Sequence, residues 1–360
     1  MRPEAVTAML PFLTEHYGNP SGSHAASRHA RLALDEAREE VAAALGAQPG
    51  EVVFTAGGTE ANNLAITGVH ACRPGTVVCP AAEHHAVLHT CAALGGRVVP
   101  TLSDATIDLD ALADALGPDT SVVSVMLANN EVGTVTRLAE VAAVVRQHAP
   151  NAILHTDAVQ AFAWLDVAAL AAPADLVSVS AHKFGGPKGV GALVVRTGTA
   201  IAPIIHGGGQ ERGRRSGTHN VAGIVAMEAA MRATIATRKD TVDRVASLRD
   251  RLADGLLAAV PGAVETGPRR SKVASNCHLR FPEVESEALL ILLDREGVCA
   301  SAGSACASGA IEPSHVLVAM GLSAAEANSS LRLSLGTAST NADVDLALQV
   351  VPKSVAQLAD

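Results

Sequence analysis

Lysine is scarce in this chain. Only Lys183, Lys188, Lys239, Lys272 and Lys353 occur, although Lys+Arg together number 27. A lysine kept where arginine would serve equally well suggests a need for an amine that can lose its proton, which a guanidinium cannot do. Two of the five sit in one stretch, Ser180-Ala181-His182-Lys183-Phe184-Gly185-Gly186-Pro187-Lys188-Gly189. Lys183 follows a strand-like segment and precedes a Gly-Gly-Pro turn. In a desolvated pocket such an amine can form a Schiff base; on an ordinary loop it is a solvated charge. Asp157 ends the preceding strand-like segment, with one helical connection between, so both side chains reach the same sheet edge. A carboxylate that keeps a pyridine nitrogen protonated, beside a Schiff-base lysine, is what pyridoxal phosphate requires.

Other polar groups fall at the ends of strand-like segments. Gly57-Gly58-Thr59 opens a helix and can cradle a phosphate with backbone N–H groups, or form a tight turn with Thr59 as the cap. No G-x-x-x-x-G-K-[S/T] sequence occurs, so a P-loop is excluded. Glu83-His84-His85 follows the next segment. His84 can stack on a flat cofactor and exchange protons near neutral pH, or simply cap a loop. Asn129-Asn130-Glu131 closes another segment, and Gln160 stands three residues after Asp157. His182 reads as a structural or phosphate-contacting neighbour of the lysine rather than as a catalyst.

Two candidates lie nearer the C-terminus. Cys306 is embedded in Ser301-Ala302-Gly303-Ser304-Ala305-Cys306-Ala307-Ser308-Gly309-Ala310. Such small neighbours offer little to anchor the segment, so mobility and an accessible, nucleophilic thiol are expected. The other cysteines, Cys72, Cys79, Cys91, Cys277 and Cys299, have apolar or helical surroundings and are assigned to structure. In Ser330-Leu331-Arg332-Leu333-Ser334, alternation sets Arg332 with the serines, opposite the leucines. There it can grip a carboxylate with two hydrogen bonds or close an internal salt bridge.

Positioning these groups requires a sheet. Strand-like segments at 51–55, 76–79, 97–102, 121–128, 152–156, 176–180 and 191–196 are mostly separated by helical ones. That alternation predicts an α/β fold: a mostly parallel seven-stranded sheet covered by helices, plus a smaller C-terminal α/β domain. In open sheets of this kind, ligands bind beyond the carboxyl ends of the strands. Leu34, Ala37, Val41 and Leu45 mark one helix face, with Gly46 at its C-terminal end. Val6, Met9, Leu10, Leu13 and Tyr17 give another helix an apolar face. Residues 205–220 read as a loop rich in glycine and arginine, and 221–260 as a long helix. The expected domains are 1–235, which holds the cofactor, and 236–360, which carries the Cys306 segment; the first ten or so residues are placed where they can pack with the small domain.

Composition narrows the function classes. The net charge is −9 and aromatics make up 2%, so neither the basic surface of a nucleic-acid binder nor a base-stacking platform is present. No long apolar run is free of charge, Gly, Pro or His, so no membrane span is expected, and the N-terminus lacks the pattern of a signal peptide. None of the six cysteines forms a C-x-x-C pair, so no metal site is expected. A cytoplasmic protein with free thiols follows.

Together these residues resemble the cysteine desulfurases of the class V aminotransferase group, pyridoxal-phosphate enzymes of fold type I. The resemblance runs from Pro3 to about Leu358. It rests on Tyr17-Gly18-Asn19-Pro20, Phe54-Thr55-Ala56-Gly57-Gly58-Thr59-Glu60, Glu83-His84, Asn129-Asn130-Glu131-Val132-Gly133, the Lys183 stretch, Gly207-Gly208-Gly209-Gln210-Glu211 through Arg215-Ser216-Gly217-Thr218, and the Cys306 segment. It implies that Lys183 binds the cofactor covalently, Asp157 its pyridine nitrogen and Gln160 its phenolic oxygen, with His84 stacked on the ring. Gly58, Thr59, Ser180 and His182 would hold the phosphate. Thr218 would reach it from the other subunit of a homodimer, and Asn130 and Arg332 would bind the carboxylate of L-cysteine. Cys306 would take the sulfur as a persulfide, release alanine and pass sulfur to an acceptor protein such as an iron–sulfur scaffold.

Other activities fit part of this pattern. A selenocysteine lyase, or another class V lyase or epimerase, accounts less directly for a cysteine among small residues. A catalytically silent scaffold would show gaps at Lys183, Asp157, His84 or Cys306, and there are none. Relatives of this group open with a short strand and an Asp-x-Ala-Thr-Thr-like motif. Met1 falls where that strand would end, so an upstream extension on the order of ten residues is expected. The tail that some relatives use to dock a scaffold has no counterpart before Asp360, which leaves the acceptor open.

Overall fold

The computed structural model describes residues 1–303 and 313–359. Two compact units emerge. The larger comprises Met1–Val99, Leu109–Leu127 and Arg137–Arg238, and the smaller Pro100–Asp108, Ala128–Thr136 and Lys239–Asp360.

The large unit is built on β1 (Val52–Thr55), β2 (Thr76–Pro80), β3 (Arg97–Val99), β4 (Thr120–Ser124), β5 (Ile153–Asp157), β6 (Leu176–Ser180) and β7 (Gly191–Val195). Their spatial order is β1-β7-β6-β5-β4-β2-β3. Parallel pairing joins β6, β5, β4, β2 and β3, and β7 runs antiparallel to both of its neighbours. The expected mostly parallel sheet is therefore present. β1, β2, β4, β5 and β6 all end on the same edge.

Near-continuous apolar strands such as Val52-Val53-Phe54 suit a sheet buried on both faces. Val53, Val77, Val122, Leu176 and Leu193 pack with Leu64, Ala65 and Val69 of a covering helix. The strand expected over 97–102 stops at Val99, before Pro100. The one expected over 121–128 stops at Ser124. Beyond it the N–H groups of Val125 and Leu127 still bond the carbonyls of His155 and Asp157, and at Ala128 the chain passes into the small unit.

The helices α1 (Pro3–Thr14), α2 (Ala25–Ala44), α3 (Gly58–Cys72) and α4 (His85–Ala93) belong to the large unit. Gly46, with φ of 61°, closes α2: its N–H bonds the Ala43 carbonyl and the Ala47 N–H bonds Ala42, a Schellman arrangement. The apolar face read into the N-terminal segment is not covered by the described residues of this chain. Only Ala5 of α1 is buried, and Val6, Leu10, Leu13 and Tyr17 are exposed. Residues 1–10 lie with the large unit, where the Arg2 N–H bonds the Gly185 carbonyl. The long helix spans Val221–Ala259, and the division between the units falls inside it.

The small unit contains β8 (Val264–Glu265), β9 (Asn276–Arg280) and β10 (Ser330–Ser334), an antiparallel sheet ordered β10-β9-β8. Leu331 and Leu333 stand opposite Leu279 and Cys277, and all four are buried. Arg332, opposite His278, is on the other face, as the alternation requires. No helix among the described residues is long and apolar enough to cross a membrane, and no group of three or more His, Cys, Asp or Glu side chains there could hold a metal ion. Cys79, Cys91 and Cys277 are buried, whereas Cys72 and Cys299 are exposed; these last two are not core residues.

A polar ladder crosses the middle of the large sheet. The Ser124 Oγ lies 2.8 Å from His155 Nδ1, and His155 Nε2 lies 2.9 Å from the Ser178 Oγ. All three residues are fully buried. Burial pushes the His155 pKa from 6.5 down to about 3, so the folded protein holds this imidazole neutral while the unfolded chain protonates it. Stability should therefore fall as pH drops from 6.5 toward 3, by at most about 1.4 kcal/mol per pH unit from this group. His155→Gln, which cannot titrate, should flatten that dependence in urea unfolding at a series of pH values. An unchanged slope would show that His155 is not the source.

Candidate active site

At the carboxyl edge of the large sheet, the chain between β1 and α3 turns at Gly57, whose φ of 150° and ψ of −175° lie in a region open only to glycine. No side chain caps α3, so its first N–H groups are left for another acceptor. A Cβ on Gly58 would come within 2.7 Å of Val159 Cγ2 and 3.4 Å of the Ser180 Cβ. The absence of side chains at 57 and 58 therefore lets the turn pack closely on Val159 and Ser180 and leaves a backbone cradle bare of Cβ atoms beside Ser180. The Ser180 Oγ is 2.9 Å from His182 Nδ1. Partial desolvation, with Lys183 and Lys188 nearby, lowers the pKa of the His182 ring.

Asp157 ends β5 and is 5% exposed. One carboxylate oxygen accepts from the Val159 N–H at 2.9 Å, the other from Asn62 Nδ2 at 2.6 Å. Burial raises its pKa, and those two donors together with the nearby charges of His84 and Lys183 pull it back. Glu83 is fully buried and accepts from the Met126 N–H at 2.5 Å. Burial and the charge of Asp157 push its pKa well above the usual carboxylate range. Two carboxyls so close in a dry region do not both ionise readily. The donors and cations converge on Asp157, so the upward shift falls more heavily on Glu83.

Lys183 closes a short 3-10 turn, Ala181–Lys183, that continues β6. Of the two settings open to it in the sequence, a desolvated pocket or a solvated loop, Lys183 has an exposed side chain. His84 caps α4 through Nδ1, which accepts from the Ala86 N–H at 3.0 Å. Gln160 is half-buried just beyond Asp157, and Thr218 is exposed. Gly58, Thr59, His84, Asp157, Gln160, Ser180, His182, Lys183 and Thr218 all belong to the large unit.

Asn130 and Arg332 both belong to the small unit, and they meet there. Arg332 Nη1 donates to the Asn130 carbonyl at 3.0 Å, and backbone bonds in both directions join Arg332 to Ser301. The Asn129 Oδ1 accepts from the N–H groups of Glu131 and Val132, which folds this segment back on itself. Cys306 lies outside the described residues.

Sequence reasoning gave no role to Asn62, nor to the pair Arg38 and Glu211. Asn62 had a signal: it follows Gly58 by four residues, so it shares the cradle's helix face, and it interrupts the apolar run Ala61, Leu64, Ala65. Arg38 and Glu211 had none, being 173 residues apart.

The group at this edge matches what pyridoxal phosphate would need. A cradle lacking Cβ atoms and side-chain caps suits a phosphate. A buried, doubly bonded carboxylate suits a pyridinium, and an amine close enough to stabilise that carboxylate suits an aldehyde.

Comparison with known proteins agrees. The aminotransferase class-V family matches residues 1–347. The cysteine desulfurase IscS of Methanosarcina thermophila is 42% identical, with 99% of this chain and 90% of that protein covered. The IscS-like cysteine desulfurase of Mycobacterium tuberculosis is 44% identical, over 99% of this chain and 94% of that one. Among solved structures, a NifS-like protein superposes with a TM-score of 0.92 at 34% identity, covering 99% of this chain and 96% of that one. With similarity of this degree over nearly its whole length, the chain belongs to the aminotransferase class-V family, within its cysteine desulfurase branch.

Proposed function

We propose that this protein is a pyridoxal-phosphate-dependent cysteine desulfurase that converts L-cysteine to L-alanine and takes the sulfur onto Cys306. The observation that carries the reading is the convergence of Lys183, His84 and the Asn62-bonded Asp157 at the edge where Gly57-Gly58 and Ser180 form an uncapped cradle. Bound there, the cofactor would act as an electron sink that weakens bonds around the substrate's α-carbon.

This chain's own groups have separable tasks. Asp157 is the acceptor for the pyridinium N–H, and Asn62 and Val159 aim its two oxygens. Gly58, Thr59, Ser180 and His182 hold the phosphate. Gln160 bonds the phenolic oxygen, His84 covers the ring, and Lys183 is the covalent attachment and proton carrier. Asn130 and Arg332 are the substrate's carboxylate grip. The thiolate of Cys306 attacks the substrate sulfur. An S–S bond forms as the substrate's C–S bond breaks, the carbon takes up a proton to give alanine, and the sulfur is left oxidised as a persulfide for transfer to an acceptor, such as an iron–sulfur scaffold.

We further propose a cytoplasmic homodimer. The uncovered apolar side chains of Val6, Leu10, Leu13 and Tyr17 support a second copy as their cover, and the exposed Thr218 is free to serve a neighbouring subunit.

Incubation with L-cysteine should yield alanine and enzyme-bound persulfide in equal amounts in a single turnover. Cys306→Ser should keep the cofactor and lose the persulfide; undiminished sulfide release would instead favour a lyase. Lys183→Ala should prevent borohydride from fixing cofactor to the protein, and persistent fixation would move the attachment elsewhere. Asn62→Ala removes a group that lowers the Asp157 pKa. Cofactor binding, which needs the anion, should then begin to fail at a higher pH on acidification than in the parent protein. Identical pH profiles would deny Asn62 this part.

A further inference from the structure

The loop from Ile205 to Asn220 is fastened by one carboxylate. The Glu211 side chain is 1% exposed. It accepts from Arg38 Nη2 at 2.7 Å and Nη1 at 2.8 Å, from the Phe54 N–H of β1 at 3.1 Å and from His219 Nε2 at 2.7 Å. Arg38 in turn donates to the Val52 carbonyl at 2.8 Å and lies over the Phe54 ring. This set of bonds sustains two successive non-glycine residues in the left-handed region, Glu211 at φ 50° and Arg212 at φ 59°, a conformation that loops seldom hold unaided. The rest of the loop closes on itself: the Gly217 N–H bonds Gln210 Oε1 at 2.8 Å, and the Gly209 N–H bonds the Ser216 Oγ at 3.2 Å.

The fastened loop delivers Arg215 to Glu60. Arg215 Nε lies 2.8 Å from Glu60 Oε1 and Nη2 lies 3.3 Å from Oε2. The side chains are 20% and 13% exposed. Glu60 is the third residue of α3 and also accepts from the Ala56 N–H at 2.7 Å, which pins the turn that contains Gly57. A carboxylate in a first helical turn is stabilised by the same N-terminal field that attracts a bound anion. Left unneutralised, Glu60 would repel a phosphate dianion arriving at the first turn of its own helix.

We propose that Arg215 is a positioning residue for the cofactor's phosphate. It cancels the charge of Glu60 and holds that carboxylate on the turn, and Glu211 sets Arg215 in place. This rests on the reading that the α3 cradle takes the phosphate of pyridoxal phosphate.

The test compares pyridoxal phosphate with pyridoxal, which lacks the phosphate, by titrating cofactor-free protein and following absorbance. R215M should weaken binding of pyridoxal phosphate about tenfold or more and leave pyridoxal affinity unchanged. The double variant R215M/E60Q should recover most of the loss, and E211Q should weaken binding in the same direction as R215M. Equal weakening for both ligands would reveal a merely structural role and overturn the proposal, as would wild-type affinity in R215M or no recovery in the double variant. If R215M does not fold, E60Q alone decides. It should bind pyridoxal phosphate at least as tightly as the parent, and a tenfold loss would refute the proposal. A folded parent protein that binds neither ligand would overturn the cofactor reading itself, an outcome visible before any variant is made.

Discussion

A charge buried at the end of a central strand must be paid for by its surroundings, and Asp157 is such a charge. Isolated in a dry region it would take up a proton. Groups from four elements oppose that uptake. Its own strand supplies the turn that aims the Val159 N–H, α3 brings Asn62, and His84 and Lys183 bring positive charge. That convergence depends on the parallel alignment of β5 with β4 and β6, which sets the strand ends on one edge. The Ser124–His155–Ser178 ladder joins those same three strands two residues before Asp157.

Neighbouring polar groups follow the same logic. Burial and the charge of Asp157 push the Glu83 pKa up, against the Met126 N–H that it accepts from. Glu211 is equally buried but is met by a guanidinium and an imidazole, which bring its pKa down to about 2. Burial alone does not decide ionisation; the number and sign of the groups that meet the carboxylate do.

The small unit uses backbone more than charge. Arg332 is held by its carbonyl and N–H to Ser301 and by its guanidinium to the Asn130 carbonyl, so its direction is set before any ligand arrives. Glu131, fully buried one residue from Asn130, accepts from the Ser314 hydroxyl. Ser314 also caps the helix His315–Ala319. Preorganisation of this kind reduces the ordering that a bound carboxylate would demand.

Local chemistry was legible from residue order. Strand and helix alternation, the glycines at 57 and 58, the polar residues at strand ends and the placement of Arg332 opposite the leucines all follow from short-range periodicity and backbone freedom, and these belong to a few consecutive residues. Tertiary structure decided what depends on distant partners. Asn62 gained a role only when β5 brought Asp157 within 2.6 Å. Arg38 and Glu211 became a pair only when α2 and the 205–220 loop were packed against β1. The apolar stripe of α1 has the periodicity of a buried face yet stays uncovered, because periodicity states that a face seeks cover and not what covers it. The solvation of Lys183, left open by residue order, was decided in the same way: the side chain is exposed, because solvation is set by everything that surrounds a residue and its sequence neighbours are only part of that.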